Sequence, residues 1–345
     1  MTLMAEMATL GYRMSAEWEP HEATWLAWPH DLETWPRELA LIEDLFVCVI
    51  EALSDGEKVH VLVRDMAEEA RVLGLLAAKG VQHDIFFHVV RTASIWIRDY
   101  GPMILCAKGG KRALVRWRFN AWGGKYAALA GDSDVPRALS AFLKLPESTP
   151  DMVLEGGSID SNGAGTLLAT EQCLFHSNRN PHLKRQEIEN RLKHFLAIRH
   201  VVWLGAGIAG DDTDGHIDDI ARFVGPRTVV AACEEDPSDV NFLSLQDNWK
   251  RLSGAVDQDG KPLEVISLPM PGAVTANGER LPASYANFYI ANRCVLVPLF
   301  GHRNDDRAQG ILKDLFPKRE VIGVPCGLLV RGLGAIHCAT RDEPK

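Results

Sequence analysis

The sequence predicts an α/β fold arranged as a closed ring of similar units rather than a doubly wound sheet. Three observations point that way. Helix, strand, polar turn and hairpin recur in the same order along the 345 residues. The polar residues that close the strands are Asp99, Glu155, Asp218, Asn287 and Cys338, separated by 56, 63, 69 and 51 residues, about one supersecondary unit each. No low-complexity linker interrupts the pattern. One catalytic domain is therefore expected over 15–345, after a flexible N-terminal segment at 1–14.

The elements follow in order. Residues 18–29 carry Trp18, Trp25 and Trp28 with Pro20 and Pro29, a strand-like opening with a rigid exit. Over 37–54, Leu41, Leu45, Phe46, Val49, Ile50 and Leu53 recur at helical spacing before Gly56. Strand 58–63, helix 66–79 ended by Gly80, and strand 81–90 come next. Residues 94–102 read as a strand running into a sharp turn at Gly101-Pro102, with strands at 103–106 and 112–119. Helix 134–144 has Asp134 as N-cap and Pro136 in its first turn. Strand 151–154 then reaches Glu155-Gly156-Gly157, and Asn162-Gly163 suits a hairpin turn. Helix 183–196, strand 200–204, the turn 215–219 and strands 220–224 and 228–232 repeat the order. So do helix 239–252, strand 263–267, residues 285–289 and a hairpin through 293–299. Helix 305–315 and strand 320–324 lead to the last turn, Gly332 to Cys338.

Composition narrows the partners. The 46 acidic residues against 37 basic ones give a net charge of −9. That disfavours nucleic acid or an anionic membrane and favours a small cationic ligand. No apolar run approaches the roughly 20 residues that span a bilayer. The first residues lack the basic start and apolar core of an export signal. Seven cysteines lie at 48, 106, 173, 233, 294, 326 and 338 with no CxxC pair, which fits a reducing cytoplasm and no zinc knuckle. All but Cys338 sit in apolar surroundings and are expected to be buried. A homodimer is an assembly compatible with this sequence.

Cys338 stands apart because Gly332 and Gly334 precede it and Thr340-Arg341-Asp342 follow. On an extended segment Ile336 and Cys338 share one face and His337 takes the other, so a catalytic thiol needs its base from elsewhere. His216-Ile217-Asp218 is the best source, since residues i and i+2 of a strand project together. Asp211, Asp214 and Asp219 read as a solvated acidic loop. An EF-hand is excluded because position 12 from Gly210 is Ala221. Gly205-Ala206-Gly207-Ile208-Ala209-Gly210 matches GxGxxG, but acids follow where a dinucleotide site needs a helix N-terminus.

One thiol, one imidazole and the carboxylates Asp99, Glu155 and Asp218 form a set suited to a guanidinium. Two carboxylates can grip that planar cation. A thiolate can attack its central carbon, and an imidazole can protonate the departing amine and then activate water. The third carboxylate can hold the imidazole in its useful tautomer. Zinc held by His216, Asp218, Glu155 and Cys338 is the rival use of the same residues; an amidinotransferase and a guanidine-binding module are two others.

Seven segments carry a resemblance: WEPHEATWLAWP at 18–29, WIRDYGP at 96–102, FNAWGGKY at 119–126, EGG at 155–157, DTDGHID at 212–218, SYANFY at 284–289 and GAIHC at 334–338. Together the sequence resembles the agmatine deiminase family, which includes bacterial-type peptidylarginine deiminases. The resemblance implies the pentein fold, a five-bladed α/β propeller with its active site on the axis. It implies Cys338 as nucleophile, His216 as general acid/base, Glu155 as the group orienting His216, and Asp99 and Asp218 as the guanidinium clamp. It also places Trp96 and Asp212 beside the substrate chain and its distal amine, and Asn287 in the pocket lining. The implied reaction is agmatine plus water to N-carbamoylputrescine plus ammonia, a step toward putrescine, through a covalent amidino-thioether on Cys338 with no metal or organic cofactor. The sequence departs from the family pattern at Tyr100, Asp214, Leu333 and Ala335, positions expected to shape the pocket rim.

Overall fold

The computed structural model of the protein describes residues 7–81 and 83–345. Five sheets share one pattern, an antiparallel pair followed by a parallel strand. Ile159–Ser161 pairs antiparallel with Thr166–Thr170, which runs parallel to His200–Leu204. Ala221–Phe223, Thr228–Cys233 and Glu264–Pro269 repeat this, as do Tyr289–Ile290, Cys294–Leu299 and Glu320–Pro325. Met103–Ala107, Lys111–Val115 and Glu147–Ser148 form the same triple with Arg13–Met14 added at the edge. The fifth sheet draws on both ends of the chain: Thr340–Pro344 pairs antiparallel with His21–Ala27, and Lys58–Val63 and Ile85–Val89 follow in parallel. Each parallel step needs a crossover, which a helix supplies.

The helices bury the faces their spacing predicts. Leu39–Ser54 turns Ile42, Phe46, Val49, Ile50 and Leu53 inward, and Arg185–Leu196 turns Ile188, Leu192 and Leu196 inward. The apolar core is divided into clusters between sheets and their helices. Among the described residues no helix is long and apolar enough to cross a membrane.

The five polar residues named from the sequence all lie in short turns just before the first strand of a sheet. Asp99 precedes Met103–Ala107, Glu155 precedes Ile159–Ser161, Asp218 precedes Ala221–Phe223, Asn287 precedes Tyr289–Ile290, and Cys338 precedes Thr340–Pro344. The repeat read from the sequence is thus a repeat of loop position.

Several expectations are corrected. Of the segment 1–14, residues 1–6 lie outside the described residues. Residues 7–14 are anchored: Met7 is buried in a core cluster, and Arg13–Met14 is a strand. Residues 97–100 form a helical turn, not strand, and 151–154 contributes only a bridge from Val153 to Arg118. Asp134 precedes its helix without a side-chain cap hydrogen bond. Cys48 is exposed on its helix, and Cys233 is half-buried as the last residue of its strand. Leu41, expected inside, is 55% exposed.

Candidate active site

A cavity of about 440 Å³ opens above Cys338. Trp35, Trp96, Trp122 and Tyr126 wall it, with Asp99 and Asp212 among its polar lining. Tyr126 donates a hydrogen bond to Asp212, which keeps that carboxylate at the cavity wall. Tyr100, Asp214 and Ala335, expected at the rim, are not lining residues, whereas Leu333 is.

Cys338 sits in a turn, not the extended segment expected. Ala339 N donates to Ala335 O and Thr340 N to His337 O, each at 3.2 Å. The glycines before it serve packing: a Cβ on Gly332 would come 2.7 Å from Trp35 and one on Gly334 2.6 Å from Trp96. The left-handed conformation falls instead on Leu333, with φ of 67°. Asn287 fixes the turn from beneath. Its Oδ1 accepts from His337 N at 3.0 Å, and its Nδ2 donates to Cys338 Sγ at 3.1 Å and Asp219 Oδ1 at 3.0 Å. Expected in the pocket lining, Asn287 lies under the thiol.

Asp99, Asp218 and His216 converge on the backbone of Gly157. A Cβ there would lie 2.6 Å from His216 Nδ1 and 2.9 Å from both Asp218 Oδ2 and Asp99 Oδ1. Asp99 is held by Trp122 Nε1 at 2.9 Å and Gly157 N at 2.9 Å. The Cys338 thiol points at Asp218 Oδ2, 3.6 Å away. Asp99 Oδ1 is 3.7 Å from His216 Nδ1. Glu155, which is 0% exposed, accepts 2.6 Å from Arg179 Nε. Arg179 continues to Asp214 at 2.7 Å and Thr213 O at 2.9 Å, so one guanidinium ties Glu155 to the loop carrying His216. Glu155 makes no hydrogen bond to His216 in this geometry. The two lie within a group, completed by Cys173, whose potential ligand atoms are all within 4.8 Å of one another. That grouping differs from the zinc set read from the sequence, since Asp218 and Cys338 are outside it.

The acidic loop is structural rather than solvated, because each acid meets donors. Asp211 accepts from Thr213 N, Gly215 N and His216 N. Asp214 pairs with Lys125 and Arg179, and Asp219 is buried against Asn287. Arg179, Trp122 and His337 act in the site without having been named as site residues. Their partners lie 24, 23 and 119 positions away, so no local pattern marks them.

Five buried side-chain polar atoms lack a hydrogen-bond partner among the described residues, and four are here: Glu155 Oε2, both ring nitrogens of His216, and Asp218 Oδ1. Folded chains rarely leave such atoms unpaired. Their concentration in this one site marks a place where a polar ligand completes the bonding.

The charges are strongly coupled. Burial, then Asp218, Asp219 and Asp99, push the Cys338 thiol well above its usual range. Burial opposes charge on His216, but Asp99, the Cys173 thiol and Asp218 outweigh it and hold the imidazole well above its ordinary value. The resting pair is therefore thiol and imidazolium. Burial raises Asp99 overall, while the bond from His337 brings Asp218 down despite burial. Because space at Gly157 is already full, Gly157→Ala is expected to keep the fold and lower kcat/KM by about 10²-fold, the cost of displacing reacting groups by ~1 Å. Steady-state kinetics with circular dichroism checks this.

A buried thiol, an imidazole and clustered carboxylates at the floor of an aromatic cavity define a site for cysteine-based chemistry on a cation. The chain belongs to the Porphyromonas-type peptidyl-arginine deiminase family, whose sequence model it matches over residues 13–344. A Legionella pneumophila protein, provisionally named an agmatine deiminase, is 37% identical over 97% of this chain and 95% of its own. The agmatine deiminase of Enterococcus faecalis superposes with a TM-score of 0.92 at 31% identity, covering 99% of this chain and 98% of that one. A C. jejuni agmatine deiminase solved with substrate bound gives 0.87 at 30% identity, covering 97% and 96%.

Proposed function

We propose that the protein is a guanidine deiminase, with agmatine and water giving N-carbamoylputrescine and ammonia. The observation that carries this reading is the set of unpaired buried atoms of Glu155, His216 and Asp218, with Asp218 also 3.6 Å from the Cys338 thiol. Asp99 and Asp218 grip the guanidinium, whose positive charge offsets two of the charges that suppress thiol ionisation. The thiol then gives up its proton to solvent, and Cys338 Sγ, as thiolate, bonds to the guanidinium carbon. His216 gives its proton to the leaving nitrogen, ammonia departs, and an amidino-thioether remains. His216, now neutral, takes a proton from water, whose oxygen attacks the same carbon. The C–S bond breaks, the remaining hydroxyl proton of the adduct restores the thiol as the ureido C=O forms, and the product leaves. Glu155 orients His216, Asn287 positions the thiol, and Trp96 and Asp212 border the substrate chain.

Agmatine is favoured among guanidines by the cavity rim. Asp31, Glu33 and Asp212 line it, which suits a distal ammonium. The one rim arginine, Arg331, is paired with Glu38 at 3.0 Å. Five sheets of one pattern, with the C-terminal strand joined to the N-terminal sheet, support a five-bladed ring over residues 15–345.

Ureido product should form from agmatine faster than from arginine or peptidyl-arginine, without an added amine acceptor and in the presence of chelator. No ureido product from any guanidine would reject the reading. The raised thiol also fixes a sign: a group held above its usual value ionises only at higher pH. Thiolate absorbance lost in Cys338→Ser should be absent from the free protein at neutral pH and appear only above about 9, the ordinary thiol value. Its presence at neutral pH would contradict the electrostatics described.

A further inference from the structure

His337 points away from the cavity, yet its surroundings are unusual for a histidine. Nδ1 lies 2.7 Å from Asp218 Oδ2, and Nε2 lies 2.8 Å from Glu17 Oε2. The residue is 2% exposed. An ionised carboxylate can only accept, and neutral imidazole carries one N–H. A neutral ring would set a lone pair against a carboxylate oxygen at one end, with no water to relieve it.

The neighbouring charges keep both carboxylates ionised. Glu17 also accepts from Arg222 at 2.7 Å, Ile290 N at 2.9 Å and Arg98 at 3.1 Å. Although burial opposes its charge, Arg222, His337 and Arg98 hold it well below the usual carboxylate range. Arg98 is itself paired with Asp342 at 2.8 Å and Arg222 with Asp160 at 2.9 Å. The Cys338 thiol approaches the same Oδ2 at 3.6 Å, and His216 and Asp219 stand close to Asp218. With His337 uncharged, Asp218 would face those groups without a bonded cation.

We propose that His337 donates from both ring nitrogens and acts as a positioning residue. It bridges Glu17 to Asp218, fixes Asp218 through Oδ2, and keeps it ionised with Oδ1 free for the guanidinium. This inference rests on the deiminase reading, in which Asp218 is half of the clamp. It gives the N-terminal Glu17 a part in a site otherwise built from turns between residues 99 and 338.

The test compares His337→Gln, which removes the charge, with His337→Lys, which keeps it, by the pH dependence of ureido formation. In His337→Gln the acid limb of kcat/KM should move up by about one pH unit or more, and KM near neutrality should rise about tenfold with a smaller change in kcat. His337→Lys should keep the wild-type limb. Equal losses in both variants without a shift of the limb would overturn the inference in favour of simple packing. If the neutral variant, or His337→Asn in its place, does not fold while His337→Lys does, the charge requirement is supported in its most severe form. If all fail alike, it is overturned. A wild-type protein that converts no guanidine fails the deiminase reading instead, so the two failures are distinguishable.

Discussion

Cys338→Ala should abolish turnover, lowering kcat by about 10⁴-fold or more, as expected when a covalent nucleophile is removed. The same variant should still bind agmatine. In the proposed mechanism the groups that recognise the cation are Asp99, held by Trp122 and Gly157, and Asp218, held by His337. None of those three bonds uses the sulfur. The thiol is neutral when at rest, so its loss removes no charge from the cavity floor, and the cleared volume leaves room for the guanidinium carbon. Equilibrium binding by calorimetry should give an affinity within a few-fold of the wild-type KM. Loss of binding along with turnover would mean that Cys338 organises the clamp, for instance through the Asn287 bond at 3.1 Å.

The second large effect concerns stability. Arg222 is 0% exposed and donates to Asp160 at 2.9 Å, Glu17 at 2.7 Å and Phe288 O at 2.8 Å. Arg222→Met fills similar volume but strands the buried Asp160 and takes one cation from Glu17, and breaking a buried pair typically costs about 3–5 kcal/mol. At roughly 2.1 cal/mol/K of unfolding entropy per residue, a chain of this length should melt about 4–7 °C lower. Adding Asp160→Asn should recover part of that loss, because it removes one stranded charge. Calorimetry on the three proteins checks both statements. A double variant no better than the single one would show that the arginine acts through packing alone. Because Glu17 also meets His337, Arg222→Met should weaken activity through the Asp218 clamp.

The sequence made the reactive residues more visible than the scaffold that holds them. Asp99, Glu155, Asp218, Asn287 and Cys338 were legible because each closes a strand at a similar interval, and all five do occupy equivalent turns. Their companions were not. Glu17 meets His337 across 320 positions, and nothing in residues 17–19 distinguishes a buried hub from a surface acid. His337 was read as facing away from the thiol on an extended segment, but in the turn its Nδ1 and the Cys338 thiol meet the same oxygen, Asp218 Oδ2. The acids 211–219 were misread as solvated because charge density suggests solvent unless the arginine that answers it, Arg179, is known to be near. Turns were misread as strands at 97–100 and 336–339, where short helical turns bring side chains together that alternation would separate.

The measurement that bears most directly on the mechanism is intact-protein mass spectrometry on acid-quenched steady-state mixtures with agmatine. An adduct with the mass of the substrate less ammonia should appear on the Cys338 peptide, rise within the first turnover and disappear as ureido product accumulates. It should be absent from Cys338→Ala. Turnover that proceeds with no adduct at any quench time, and that persists in Cys338→Ala, would contradict covalent catalysis at this thiol.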